Sequence, residues 1–159
     1  MKTVKVLVAA SMAAALLAGC GSKTDTDTFR FASELDIQGM DSAVVDDGMS
    51  YDAIHAITDG LTAVNDKGKT VPALAKSWDV SADGKTYTFH LRNAKWSNGD
   101  EVTANDFVYS WKKIIKNACT YAYMLGDDGA SVKNANELID LGPKATDEQM
   151  NTLGVKATD

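Results

Sequence analysis

The chain has 159 residues, 45% of them hydrophobic, and its 22 Asp and Glu against 16 Lys and Arg give a formal charge of −6. That length suits one packed domain, and the acidic balance, without a basic patch interleaved with aromatics, excludes a nucleic-acid partner. The two cysteines, Cys20 and Cys119, exclude a disulfide framework and a CxxC metal or redox motif.

Lys2 and Lys5 lead into an apolar run, Val6 to Leu17, broken only by Ser11. The run is shorter than the ~20 residues a membrane span needs. A charged start, a short apolar core and small residues before a cut site predict a secretory signal peptide over residues 1–19. Leu17-Ala18-Gly19-Cys20 resembles the processing site of bacterial lipoproteins. That resemblance implies a thioether-linked diacylglycerol on Cys20 as the only attached group and no other cofactor. Two acyl chains would hold the protein stably on the outer, extracytoplasmic face of the cell membrane. The alternative is an ordinary secretory peptide with an incidental cysteine. Residues 20–28 are polar and cannot pack a core, so they read as a flexible tether. Without Lys2 and Lys5, 14 basic residues face 22 acidic ones, a balance of −8.

Phe29, Phe31 and Ser33 share one face of a predicted strand, Thr28 to Ser33. A loop rich in Asp and Gly follows from Glu34 to Gly48. Tyr51, Ile54, Ile57 and Leu61 then recur at helical spacing, with Ser50 as the expected N-cap and Gly60 as the stop. Leu61 to Asn65 reads as a strand, turned by Asp66-Lys67-Gly68-Lys69. Asp83-Gly84 is a turn signal. Thr86 to Leu91 alternates, placing Tyr87, Phe89 and Leu91 on one face and His90 on the solvent side. Asn98-Gly99 predicts a hairpin between Trp96 and Val102.

Thr103 with Asp106 forms a capping-box pattern before Phe107, Val108, Trp111, Ile114 and Ile115. That apolar stripe is expected to pack onto the sheet. Cys119 reads as a buried apolar filler. Thr146 with Gln149 is a second capping box, with Leu153-Gly154 as the helix end.

The wording from Ala75 to Lys112 carries more than secondary structure. Trp78, Ser81-Ala82-Asp83-Gly84, Tyr87-Thr88-Phe89-His90-Leu91-Arg92, Trp96-Ser97-Asn98-Gly99 and Thr103-Ala104-Asn105-Asp106-Phe107 occur in that order. The block closely resembles the family 5 extracellular solute-binding proteins, the oligopeptide-binding lipoproteins of ABC importers. The resemblance implies an α/β fold of the type II periplasmic-binding-protein class, two lobes each with a mixed sheet and packed helices. Residues 29–159 would correspond to the N-terminal part of the first lobe. It further implies oligopeptides as ligands and importer permease subunits as partners. A chain this short against its family is expected to be truncated, to expose sheet edges and apolar faces, and to bind peptide only weakly by itself.

By the same resemblance, Asp46, Asp47 and Gly48 fall where relatives present backbone groups to the peptide. Tyr121 matches a tyrosine that faces it. A solvated acidic loop and a core aromatic are the alternative readings of these positions. A peptide-pheromone receptor with the same fold, or a binder of nickel, haem or glutathione within the family, remains open. An enzyme is not expected. His55 and His90 lack metal-ligand spacing, and the chain holds no Gly-x-Ser-x-Gly and no phosphate-binding loop.

Overall fold

The computed structural model describes residue 28 and residues 30–158. The signal peptide, Cys20 and nearly all of the tether lie outside the described residues. Residues Glu34–Asp159 form one compact unit, and residue 28 with residues 30–33 belongs to another. The strand predicted at Thr28 to Ser33 is not present in its described part. Alternation makes a strand only where one face is covered, and Phe31 remains 55% exposed.

Helix α1 spans Gly48–Ile57 and is capped by Asp47, not by Ser50. Ser50 cannot serve as the cap because it is fully buried inside the first turn. Its Oγ accepts from the N–H groups of Gln38 (2.9 Å) and Gly39 (3.2 Å). The helix also stops before Gly60. Thr58 closes it, donating from both its N–H and its hydroxyl to the Ile54 carbonyl. Ile54 is buried but Ile57 is 72% exposed, so the expected four-residue stripe covers only the first turns.

Strands β1 (Thr62–Val64) and β2 (Thr70–Pro72) pair antiparallel around the expected Asp66–Lys69 turn, which Asn65 joins rather than ending the strand. Gly68 takes φ +70° there, a value that costs glycine nothing. Strands β3 (Ala75–Val80) and β4 (Tyr87–Leu91) form a second antiparallel pair, with Trp78 opposite Phe89 and a bulge between Ala75 and Ser77. His90 is at the surface as expected, 2.7 Å from Asp79. Arg92 joins the hairpins, donating from Nε to the Ala73 carbonyl (2.9 Å) and from Nη2 to Asp59 (3.0 Å). The Asn98-Gly99 turn is a four-residue one: Gly99 N–H donates to the Trp96 carbonyl, and a single bridge joins Lys95 and Glu101.

Helix α2 (Ala104–Lys116) starts as the sequence predicts, with the Asp106 carboxylate accepting from Thr103 N–H at 2.7 Å. Two residues of its apolar stripe go to helices. Ile115 (1% exposed) and Trp111 pack against Ala135, Leu138, Ala145, Met150 and Leu153. These come from α3 (Ala135–Leu141), α4 (Asp147–Met150) and the segments around them. Amphipathicity fixes which face is buried, and the covering element is a helical cluster. Thr146 caps α4 as expected, but the helix runs only four residues. Gly154 lies beyond its end, donating to the Lys133 carbonyl at 2.8 Å.

Both sheets are small and two-stranded among the described residues. Val64, Val80 and Tyr87 on them are exposed. No helix among the described residues is long and apolar enough to cross a membrane.

Candidate functional site

Residues 41–48, α1 and the 3₁₀ segment Thr120–Leu125 meet at one place. The 41–45 stretch is a turn in which the N–H groups of Val44 and Val45 both donate to the Asp41 carbonyl (3.0 and 3.1 Å). It buries Ala43 and Val45, and its other carbonyls have no backbone donor among the described residues. Tyr51, one turn into α1, points its hydroxyl at two of them and donates to Ser42 O and Val45 O, both at 3.2 Å. The Tyr51 ring meets Tyr121 edge to face, with centroids 5.3 Å apart and planes at 81°. Such pairs contribute ~0.5–1.5 kcal/mol beyond burial.

The structure brings together the positions the sequence singled out. Tyr121 donates its hydroxyl to the Asp46 carbonyl at 3.3 Å, across 75 residues of sequence. Tyr121 is half-buried, so it is neither a core aromatic nor a free one. Asp46 itself is exposed. Asp47 is not a plain solvated loop residue: its Oδ1 accepts from Ser50 N–H at 2.8 Å to cap α1. Gly48 opens the helix, and nothing lies within 4 Å of a Cβ built there. Cys119 is buried as expected, its Sγ 3.8 Å from the Ser42 carbonyl.

Charge secures the same turn. Lys113 on α2 reaches Asp41 at 2.7 Å. That hydrogen bond, with a second from Ala43 N–H, holds the Asp41 carboxyl below the ordinary carboxylate range and raises the Lys113 ammonium. Hydrogen bonds from the Ser50 side chain and backbone depress Asp47 likewise. Burial, then its Cys119 and Tyr121 neighbours, raises the Tyr51 phenol and keeps it a donor.

Folded carboxyls below their unfolded values stabilise above about pH 4, and that contribution is lost as pH falls through the folded values. The raised lysine stabilises below its ordinary value near 10.4 and loses its effect only as pH rises through the folded one. The turn is therefore expected to stay closed across neutral pH and to loosen below about pH 4. Amide exchange at Val44 and Val45 followed against pH reads this, and Asp41→Asn should flatten the acid limb.

An open depression of about 410 Å³, lined by Tyr123, Asp127, Asp128, Asn136, Ile139 and Asp140, adjoins the same 3₁₀ segment through Tyr123. Sequence reasoning did not single out these acidic residues, because scattered surface carboxylates carry no pattern. No group of three or more His, Cys, Asp or Glu among the described residues is placed to hold a metal ion.

The arrangement is one of backbone groups and tyrosine hydroxyls at a helix N-terminus, each hydroxyl donating to a carbonyl of the 42–46 stretch. Comparison with known proteins gives the class. Residues 69–151 match the model of the bacterial extracellular solute-binding proteins, family 5 Middle. The chain belongs to this family of solute-binding proteins.

It is 40% identical over 164 aligned positions to the dipeptide-binding protein of Lactococcus lactis subsp. cremoris, covering 99% of this chain and 28% of that one. Its fold matches the substrate-binding domain of an oligopeptide ABC transporter from Bacillus anthracis with a TM-score of 0.70 at 38% identity, over 81% of this chain and 24% of the other. It matches Haemophilus influenzae OppA in complex with the peptide RPPGFSPFR with a TM-score of 0.67 at 38% identity, over 77% and 23%. The chain thus spans about a quarter of the length of these relatives, and its α/β fold is part of one lobe of their architecture.

Proposed function

We propose that this chain supplies part of one wall of a peptide site in the binding subunit of an ABC-type importer. The observation that carries the reading is the meeting of Tyr121 with Asp46 at the start of α1. It occurs in a chain whose fold matches a protein in complex with a peptide. An extended peptide is held through main-chain hydrogen bonds, and side-chain pockets set preference. Asp46, Asp47 and Gly48 offer backbone to such a ligand, and the bare Cα of Gly48 lets it approach. The Asp46 carbonyl has a second lone pair beyond the one Tyr121 uses. Capture then works by population shift, with ligand favouring a closed state that the permease recognises. Cys20 carries the diacylglycerol that holds the protein on the outer face of the membrane.

The test is a hybrid in which this chain replaces the aligned segment of the Lactococcus lactis relative. Calorimetry with alanyl-alanine should give saturable binding. Gly48→Ala should weaken it about tenfold, or ~1.4 kcal/mol, without lowering thermal stability, since a methyl there meets nothing in the fold. A folded hybrid that does not bind, or a Gly48→Ala hybrid that binds as well as its parent, would sink the reading.

A further inference from the structure

We infer that Tyr51 is the positioning residue of this site, holding the 42–46 backbone and Tyr121 in one fixed arrangement. The inference rests on the peptide reading above for its functional consequence, and on the geometry for the rest. The spacing of Tyr51 assigns it to an ordinary buried stripe, yet its side chain behaves otherwise. It is half-buried, and its hydroxyl hydrogen is shared by the carbonyls of Ser42 and Val45. No other donor is recorded for Val45 O among the described residues, and Ser42 O has only the thiol of Cys119 at 3.8 Å.

Ser42 is exposed and water can serve its carbonyl, but Val45 is buried and its carbonyl without a donor is costly. Loss of the Tyr51 hydroxyl therefore loosens the Val45 end of a turn that Asp41 and Lys113 still hold at the other. Val45 directly precedes Asp46, whose carbonyl receives Tyr121, and Asp47, whose carboxylate caps α1. The Tyr51 ring also fixes the tilt of Tyr121 by the edge-to-face contact. One side chain therefore sets both partners of the Tyr121–Asp46 hydrogen bond. The tyrosine touches the ligand-facing groups and need not touch the ligand.

Hydrogen exchange in the 159-residue protein tests the geometry without any ligand. Tyr51→Phe should speed exchange at Val44, Val45 and Ser50 by about tenfold, the loss of one net hydrogen bond of ~1.4 kcal/mol. Thr88 and His90 in the β3–β4 hairpin should stay unchanged. Para-aminophenylalanine at position 51, which keeps a donor on the ring, should restore the slow rates. Uniform acceleration, or no rescue by the amino group, would show a packing role alone and overturn the inference.

Alanyl-alanine binding to the hybrid tests the consequence. Tyr51→Phe should weaken it about tenfold, and should do little more in a Tyr121→Phe background because both hydroxyls act on one stretch of backbone. Additive losses, or unchanged affinity, would also overturn the positioning role. A parent hybrid that does not bind at all overturns the peptide reading instead, and leaves the exchange arm to decide whether Tyr51 orders the turn.

Discussion

Replacing Leu138 by alanine should unfold most of the helical half of this protein at temperatures the parent tolerates. Leu138 is 2% exposed and sits among Ile115, Ala135, Ala145, Met150 and Leu153, with Trp111 and Ile139 packed over them. A leucine truncated in such a place costs about 2–5 kcal/mol, through lost transfer energy and an incompletely collapsed cavity. In a domain of this size that is on the order of 10 °C or more in melting temperature. The small cluster has few neighbours able to relax into the space, which argues for the upper half of that range. Ile57→Ala is the matched control. At 72% exposure it should change stability by less than about 0.5 kcal/mol. Urea unfolding monitored by tryptophan fluorescence compares the two, and equal midpoints would mean that the core does not lie where α2 and α3 meet.

Gly129→Ala should be damaging for a different reason. A Cβ built at Gly129 runs into the Met124 carbonyl oxygen and lies 2.6 Å from its carbon. The obstacle is backbone, which cannot swing aside as a side chain would. The turn after the 3₁₀ segment must therefore open, stretching the bond that Ala130 N–H makes to Met124 O (2.8 Å) and the one from Ser131 N–H to Gly126 O (2.8 Å). Overpacking of this kind costs ~1–3 kcal/mol. Because Gly129 is exposed, no buried apolar area changes, and the loss is strain alone. The displaced segment bears Tyr121 and Tyr123, so exchange at Ala122 should quicken along with the fall in melting temperature. Thermal melts of Gly129→Ala and Gly48→Ala side by side separate a strained glycine from an unstrained one. A Gly129→Ala protein as stable as its parent would mean that the turn is free to adopt another path.

Local signals carried much of the fold. The β3–β4 hairpin was legible because alternation, Asp83-Gly84 and aromatic placement all agree over a few residues. The start of α2 was legible because a capping box is written within four positions. The N-terminus of α1 was harder. Asp47 and Ser50 are both good caps by type, and the choice between them was made by Gln38 and Gly39, whose N–H groups occupy the serine. The destination of the α2 stripe was equally out of reach, since periodicity gives a face and no partner.

At the site, Asp46, Asp47, Gly48 and Tyr121 came from resemblance to a family. That they lie together follows only from the structure, because the connecting hydrogen bond spans 75 residues. Tyr51 gave no local signal: its acceptors are main-chain carbonyls, which any sequence supplies.

The most direct measurement of the central claim is a structure of the hybrid with alanyl-alanine bound. The account predicts the dipeptide main chain at hydrogen-bonding distance, about 2.7–3.2 Å, from backbone groups of Asp46 to Gly48 or from the Tyr121 hydroxyl. A dipeptide held entirely by residues of the relative, with those four positions facing solvent, would contradict it.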